Sequence, residues 1–200
     1  MSYSQNDEET HILSLFDGAT RGGHFLDVGA WDGKALSNTC RLAELGWSGV
    51  MVEPSPFCFP QLYLHHGNNH KITLVNAAIG ETADLMEWWD SGGDAVSTLV
   101  SGHKDRWEAG SQVRYKCFLI PVITFHTLLT TVGNNFNFIN LDVESLNLTL
   151  FRILLPLVSN TTVSVICVEH DGHVDEILNI ARISGFQRHS ENGENLIIKR

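Results

Sequence analysis

The side chains of this chain best placed to do chemistry are carboxylates that close short apolar runs. Asp27 nearly closes HFLDV, Glu53 ends GVMVE, Asp142 and Glu144 follow FINL, and Glu169 with His170 ends VICVEH. If each run is a strand of one parallel sheet, these groups collect at its carboxyl edge, where open sheets bind ligands. Asn76, Ala77 and Ala78 close a further run, ITLV. Charges beside an apolar sheet are costly unless a cation, a hydroxyl or backbone amides meet them, so such an edge implies a ligand.

The stretch after Asp27 narrows the ligand. Residues 24–34, HFLDVGAWDGK, read as a strand, a glycine turn and a helix opening after Gly33, an arrangement that grips nucleotide-like cofactors. A GxGxxG fingerprint would place glycines at 29, 31 and 34, but the last two positions hold Trp31 and Lys34. Asp27, just before the turn, would oppose a pyrophosphate and favour a cationic, sulfonium cofactor. Glu53 stands where an acid accepts from both ribose hydroxyls, a role common to dinucleotides and S-adenosylmethionine. The alternative, that Asp27 and Glu53 merely cap loops, is weakened by both falling at the right places of one βαβ unit.

These groups need elements to hold them. Strands are predicted over 25–30, 49–53, 72–77, 136–141 and 163–168, and helices over 35–45, 56–66, 124–131 and 146–155, the last stopped near Pro156. Val174, Ile177, Leu178 and Ala181 mark an amphipathic helix ending at Gly185, and 185–189 with 195–199 form a terminal hairpin. The alternation predicts an α/β fold, a parallel sheet with helices on both faces. Residues 80–135 break the rhythm, with extended pieces at 85–89 and 113–122. They read as an insertion over the working edge, carrying Trp88, Trp89, Trp107 and His103 among Gly92, Gly93, Gly102 and Gly110. Such a segment serves as a substrate lid or as a patch that pins the loop down.

Composition sets the outer bounds. The 200 residues, 43% of them apolar, suffice for one core, so a single domain over 1–200 is expected. With 13 Lys plus Arg against 23 Asp plus Glu, a formal charge of −10 argues against binding nucleic acid through its phosphates and for a small or neutral substrate. Cys40, Cys58, Cys117 and Cys167 form no CxxC pair and read as reduced, mostly core thiols. MSYSQNDEET lacks the apolar core of a signal, and no run approaches a membrane span, so a cytoplasmic protein with no membrane partner is expected. The NxT triplets at Asn147 and Asn160 then read as chance matches.

Five segments carry a family resemblance: GHFLDVGAWDGKALSNT, GWSGVMVEPSPFCFPQL, LVNAAIG, FINLDVES and VICVEH, in order between about Gly23 and Asn195. Together they resemble the FkbM family of S-adenosylmethionine-dependent methyltransferases. The resemblance implies a class I methyltransferase fold, a Rossmann-like sheet of seven strands with the last antiparallel, and O-methylation of a hydroxyl on a sugar, polyketide or other small molecule. It also implies that Asp27, Gly29 and Ala30 line the methionine end of the cofactor, with Asp32, Gly33, Ser37, Asn38 and Thr39 completing the pocket. Glu53 would hold the ribose, Pro54 and Ser55 would lie beside the adenine, and Asn76, Ala77 and Ala78 would flank the base. Asp142 and Glu144 match the family's DVEG element, with two departures. Ser145 stands for the usual glycine and Asn147 for a commonly acidic residue, which bears on substrate geometry more than on cofactor binding.

A hydroxyl acceptor must lose its proton during an in-line methyl transfer. Candidates to take it or to orient the hydroxyl are Asp142, Glu144, Glu169, His170 and His103; for His170 a solvated turn role is an equal alternative. Asp142, Glu144, Glu169 and His170 could alternatively hold magnesium or manganese against vicinal hydroxyls. His65, His66 and His70 in HHGNNH read as a solvated loop, without the company of a zinc site. The competing functions are an NAD-dependent oxidoreductase and a cofactor-binding module that has lost catalysis.

Overall fold

The computed structural model describes residues 2–94 and 96–200. In chain order the elements are α1 (Glu8–Leu15), β1 (His24–Val28), α2 (Cys40–Glu44), β2 (Ser48–Val52), α3 (Phe59–His66), β3 (Ile72–Val75), β4 (Ala78–Ile79), β5 (Asp84–Asp90), α4 (Ser101–Gly110) and β6 (Lys116–Ile123). They continue with α5 (Phe125–Val132), β7 (Phe138–Leu141), α6 (Asn147–Val158), β8 (Val165–Glu169), α7 (Val174–Ile183), β9 (Gln187–Glu191) and β10 (Asn195–Lys199).

Seven strands form the main sheet in the order β3-β2-β1-β7-β8-β10-β9. All run parallel except the last, β10, which pairs antiparallel with both β8 and β9. The winding reverses between β1 and β7, which opens the crevice at their carboxyl ends. Alternation along each strand builds a core on both faces. Leu26, Val28, Ile139, Leu141, Ile166 and Val168 pack with α5, α6 and α7, whereas Phe25, Met51, Phe138 and Cys167 pack with α1, α2 and α3. Asp27 shares the second face and is paired in register with Asn140.

The insertion is a second, three-stranded sheet, β4-β6-β5, with α4 beside it. Its own small core is Ala78, Trp88, Ile120 and Val122. The stretch expected as one strand over 72–77 instead splits, with Asn76 and Ala77 between β3 of the main sheet and β4 of the small one.

Several elements differ from the sequence expectation. No helix opens after Gly33: Leu36 takes a left-handed φ of 53°, and Ser37 Oγ accepts from the backbone N–H of Thr39 and Cys40, so α2 begins only at Cys40. The helix α3 likewise starts at Phe59, with Pro60 rather than Pro56 in its first turn. α6 runs through Pro156 to Val158 because buried Leu154, Leu155 and Val158 hold its last turn against the core. α1, in the acidic N-terminal segment, was not expected at all; its Glu8 and Glu9 are buried. Glu8 Oε1 accepts from Asn192 Nδ2 at 2.7 Å and Asn195 Nδ2 at 3.0 Å. Burial pushes the Glu8 pKa up, but these bonds and backbone amides outweigh it and leave it lowered. The helix α4 falls in the stretch punctuated by glycines. His65 and His66 lie on the last turn of α3 rather than in a loop, and His66 is buried with Nε2 2.7 Å from the Gly33 carbonyl oxygen.

Candidate active site

The carboxyl ends of β1, β2 and β7 and the underside of the insertion enclose a cavity of about 410 Å³. Its floor depends on Gly29, which has φ +87° and lies against β7's exit: a Cβ there would fall 1.6 Å from the Asp142 carbonyl oxygen. Only glycine permits that approach.

Asp27 is buried below the floor. Thr39 Oγ1 donates to its Oδ2, and Asn140 Nδ2 donates to its Oδ1 at 2.9 Å. Burial raises its pKa, opposed by those two bonds. Asn38 Nδ2 in turn donates to Asn140 Oδ1 at 3.0 Å, while Asn38 Oδ1, buried at the cavity wall, has no hydrogen-bond partner. An orphaned acceptor at a cavity wall is an open position for a ligand donor.

Glu53 stands at the end of β2. Its Oε2 accepts the Trp31 backbone N–H at 2.9 Å and its Oε1 that of Ser55 at 2.7 Å. These leave lone pairs on both oxygens for a ligand's hydroxyls. Burial pushes its pKa up to about 8; the two N–H bonds oppose the shift, and Asp90 and Asp27 add to it.

The insertion is fastened to this end of the site. Ser55 Oγ and Trp88 Nε1 both donate to Asp90 Oδ2, and Asp90 Oδ1 accepts from the N–H of Gly92 and Gly93. Trp31 Nε1 donates to the Gly93 carbonyl at 2.9 Å. Asp90 is wholly buried.

At the other end, oxygens of Asp142, Glu144 and Glu169 lie within 4.8 Å of one another. The register that pairs Leu141 with Val168 brings the strand ends together. Burial, then repulsion from Glu169 and Glu144, holds Asp142 well above the carboxylate range. Burial with Glu169 and Asp171 lifts Glu144 to about 8. Glu169 is also raised, by burial and Asp171, against hydrogen bonds with Asp142 and Asn147. Asn147, fully buried, donates to Glu169 Oε2 at 2.6 Å and Asp171 Oδ2 at 3.1 Å and accepts the Val143 N–H. Its burial also fits the reading of its NxT triplet as a chance match.

The two histidine candidates are placed differently. His170 has Nε2 3.1 Å from the Asn192 carbonyl oxygen, and its Nδ1 accepts the Gly172 N–H at 3.0 Å, so its ring is spent on the β9–β10 hairpin and the turn before α7. His103 on α4 reaches the acidic trio: its Nδ1 is hydrogen-bonded to Ser145 Oγ, and its Nε2 lies 3.7 Å from Glu144 Oε2. Burial, reinforced by Arg106 and opposed by Asp171, lowers its pKa. Glu144 and Ser145 take φ of 47° and 72°, the left-handed conformation that favours glycine. The backbone at 145 thus keeps a glycine-like path while its hydroxyl gains a partner on the insertion.

Of the residues expected around the cofactor, Asp27, Gly29, Ala30, Ser37, Asn38, Glu53, Pro54, Ser55, Ala77 and Ala78 line the cavity. Four do not. Asp32 Oδ1 caps its own turn by accepting from the N–H of Lys34 and Ala35. Gly33 packs under Leu62 and His66, Thr39 faces Asp27, and Asn76 Nδ2 donates to the Glu53 carbonyl at 2.8 Å. Trp31, Asn140 and Gln5 also line the cavity, a place that sequence reasoning missed for all three. Asn140, a lone amide inside FINL, carries a visible signal as a polar break in an apolar run; Gln5 carries none. Among the described lining residues there are seven carboxylates, Asp27, Glu53, Asp94, Asp142, Glu144, Glu169 and Glu194, and no lysine, arginine or histidine.

The family model described as Methyltransferase FkbM domain matches residues 27–188. No curated protein matches the chain. Among solved structures, a hypothetical protein of Thermus thermophilus aligns with a TM-score of 0.54 at 14% identity, covering 98% of this chain and 86% of its own. The fibrillarin pre-rRNA processing protein of Methanococcus jannaschii aligns with a TM-score of 0.52 at 11% identity, covering 97% and 75% respectively. At such identities the likeness concerns the fold, a class I methyltransferase fold. No helix among the described residues is long and apolar enough to cross a membrane.

Proposed function

The chain belongs to the FkbM methyltransferase family, and on that premise we propose that it moves the methyl group of S-adenosylmethionine to a hydroxyl of a small molecule such as a sugar. The observation that carries the reading is the cavity at the β1–β7 switch, ringed by carboxylates, with Glu53 at the end of β2 and the orphaned Asn38 Oδ1 beside it. A cofactor with a sulfonium, an ammonium and two ribose hydroxyls fits that set of acceptors.

S-adenosylmethionine, when bound, supplies an electrophilic methyl group. Glu53 would accept the ribose hydroxyls through the lone pairs left by Trp31 and Ser55, and Asn38 Oδ1 would accept from the ammonium. Asp27, held in place by Thr39 and Asn140, would present its carboxyl group to the methionine end of the cofactor. Ala77, Ala78 and Pro54 would flank the base. Asp142, Glu144 and Glu169 orient the acceptor hydroxyl and take its proton; the raised pKa of about 8 at Glu144 is matched to general base work near neutral pH. Trp107 of the insertion, beside His103, gives the acceptor an apolar wall. A divalent ion at the acidic trio is a finer element of the same reading.

Calorimetry with S-adenosylhomocysteine and with NAD separates this reading from an oxidoreductase. The first is expected to bind and the second not. Glu53→Ala removes the two hydrogen bonds proposed to the ribose and is expected to weaken S-adenosylhomocysteine by roughly 10–100-fold, at ~1.5–3 kcal/mol in all. No binding of S-adenosylhomocysteine at millimolar concentration overturns the proposal.

A further inference from the structure

Asp142, Glu144 and Glu169 converge at the ends of β7 and β8, and an unpartnered imidazole nitrogen lies beside them. His103 is 6% exposed, and its Nε2 is buried without a hydrogen-bond partner 3.7 Å from Glu144 Oε2. Its other ring nitrogen is engaged by Ser145 Oγ. In the tautomer that carries its proton on Nδ1 and donates it to that hydroxyl, Nε2 presents a bare lone pair. Histidine ligands to metals are held in this way, oriented by a bond from the second nitrogen. Asn147 does the same for Glu169.

We propose that Asp142, Glu144 and Glu169, together with His103 Nε2, form a site for a divalent first-row transition metal ion, assembled where α4 meets the ends of β7 and β8. At a metal–oxygen distance of ~2.1 Å, adjacent ligand oxygens lie ~3 Å apart and opposite ones ~4.2 Å, so the three carboxylates, within 4.8 Å of one another, close in on the ion by rotamer adjustment, and His103 Nε2, 3.7 Å from Glu144 Oε2, joins them from the edge of the cluster. Three carboxylates offset the charge of a divalent ion, and the imidazole nitrogen selects manganese, iron, cobalt or zinc over magnesium and calcium, which prefer oxygen alone. His170, the imidazole expected here from sequence, is committed elsewhere; the insertion supplies the nitrogen instead. The site thereby depends on the insertion being seated. The inference rests on the methyltransferase reading only for the use of the ion, which is to hold the acceptor's oxygens.

The test uses the full chain, stripped by chelator and titrated with manganese(II) alone, followed by electron paramagnetic resonance. One ion per chain is expected, bound at least tenfold more tightly than magnesium. Electron spin echo modulation of the bound ion in the unaltered protein should carry the coupling of a directly ligated imidazole nitrogen. Glu169→Gln should abolish tight binding. His103→Asn, which can keep the bond to Ser145, should weaken manganese at least tenfold and leave magnesium nearly unchanged. No manganese bound at millimolar concentration, or bound manganese without the nitrogen coupling, overturns the site. The unaltered protein supplies both readings, so they stand even if a variant misfolds. Binding of S-adenosylhomocysteine is measured in parallel: its loss with manganese binding intact counts against the methyltransferase reading, and the converse against the metal site alone.

Discussion

Gly29→Ala is expected to cost roughly 4 kcal/mol or more of folding stability, a large share of the ~5–15 kcal/mol typical of a domain. Two penalties coincide. The residue has φ +87°, and the added Cβ would lie 1.6 Å from the Asp142 carbonyl oxygen and 2.7 Å from its carbon, both backbone atoms that cannot rotate away. Relief requires β1's exit to separate from β7's, which opens the floor of the cavity and disturbs Asp27 with it. Gly92→Ala is the control: φ is +88°, but nothing lies within 4 Å of its Cβ position, so only the backbone strain, ~1–3 kcal/mol, applies. Urea unfolding of the two variants measures the difference. Equal losses would mean that conformation, and not the close approach of the strand ends, fixes glycine at 29.

Stability without ligand is expected to fall as pH rises from about 5 to about 9. Glu53 has an ordinary pKa of 4.5 in the unfolded chain and about 8 in the folded one. Below 4.5 both states are protonated and its contribution is fully present. As pH rises toward 8 the unfolded chain ionises while the folded one resists, and stability is lost through the folded pKa. Glu144, also raised to about 8, acts in the same direction. At ~1.4 kcal/mol per pKa unit, and allowing for relaxation around the partly exposed Glu144, the combined loss is on the order of several kcal/mol. Glu8, whose pKa is lowered, acts oppositely: its contribution is lost as pH falls through its folded value, so the optimum lies on the acidic side of neutrality. A thermal scan across this range measures the effect. A melting temperature that is flat or rises from pH 5 to pH 9 would contradict it.

The strand ends were legible in the sequence because an apolar run closed by an acid marks where a buried strand meets the edge of its sheet. Side-chain direction was not. A motif resemblance carries position along the chain, and Asp32, Gly33 and Thr39 occupy the expected positions while facing their own turn, α3 and Asp27. α1 escaped notice because its burial is partly acidic, stabilised by Asn192 and Asn195 from the far end of the chain. α4, SGHKDRWEAG, is polar and bounded by Gly102 and Gly110, which in sequence read as loop punctuation. The exchange of His170 for His103 depends on a contact between residues 103 and 145, across 42 positions, that no local pattern encodes.

Asp90 makes the insertion a riveted part. Its carboxylate is clenched by Ser55, Trp88 and two loop amides, beside the cavity wall that carries Pro54 and Ser55. A chimaera that exchanges residues 80–135 for a segment from another protein would therefore leave Ser55 Oγ and Trp31 Nε1 without their acceptors, unless the new segment brought its own. Under the proposed function, acceptor preference and cofactor grip would be mechanically coupled in this chain, and exchanging the first by grafting would require refitting the second.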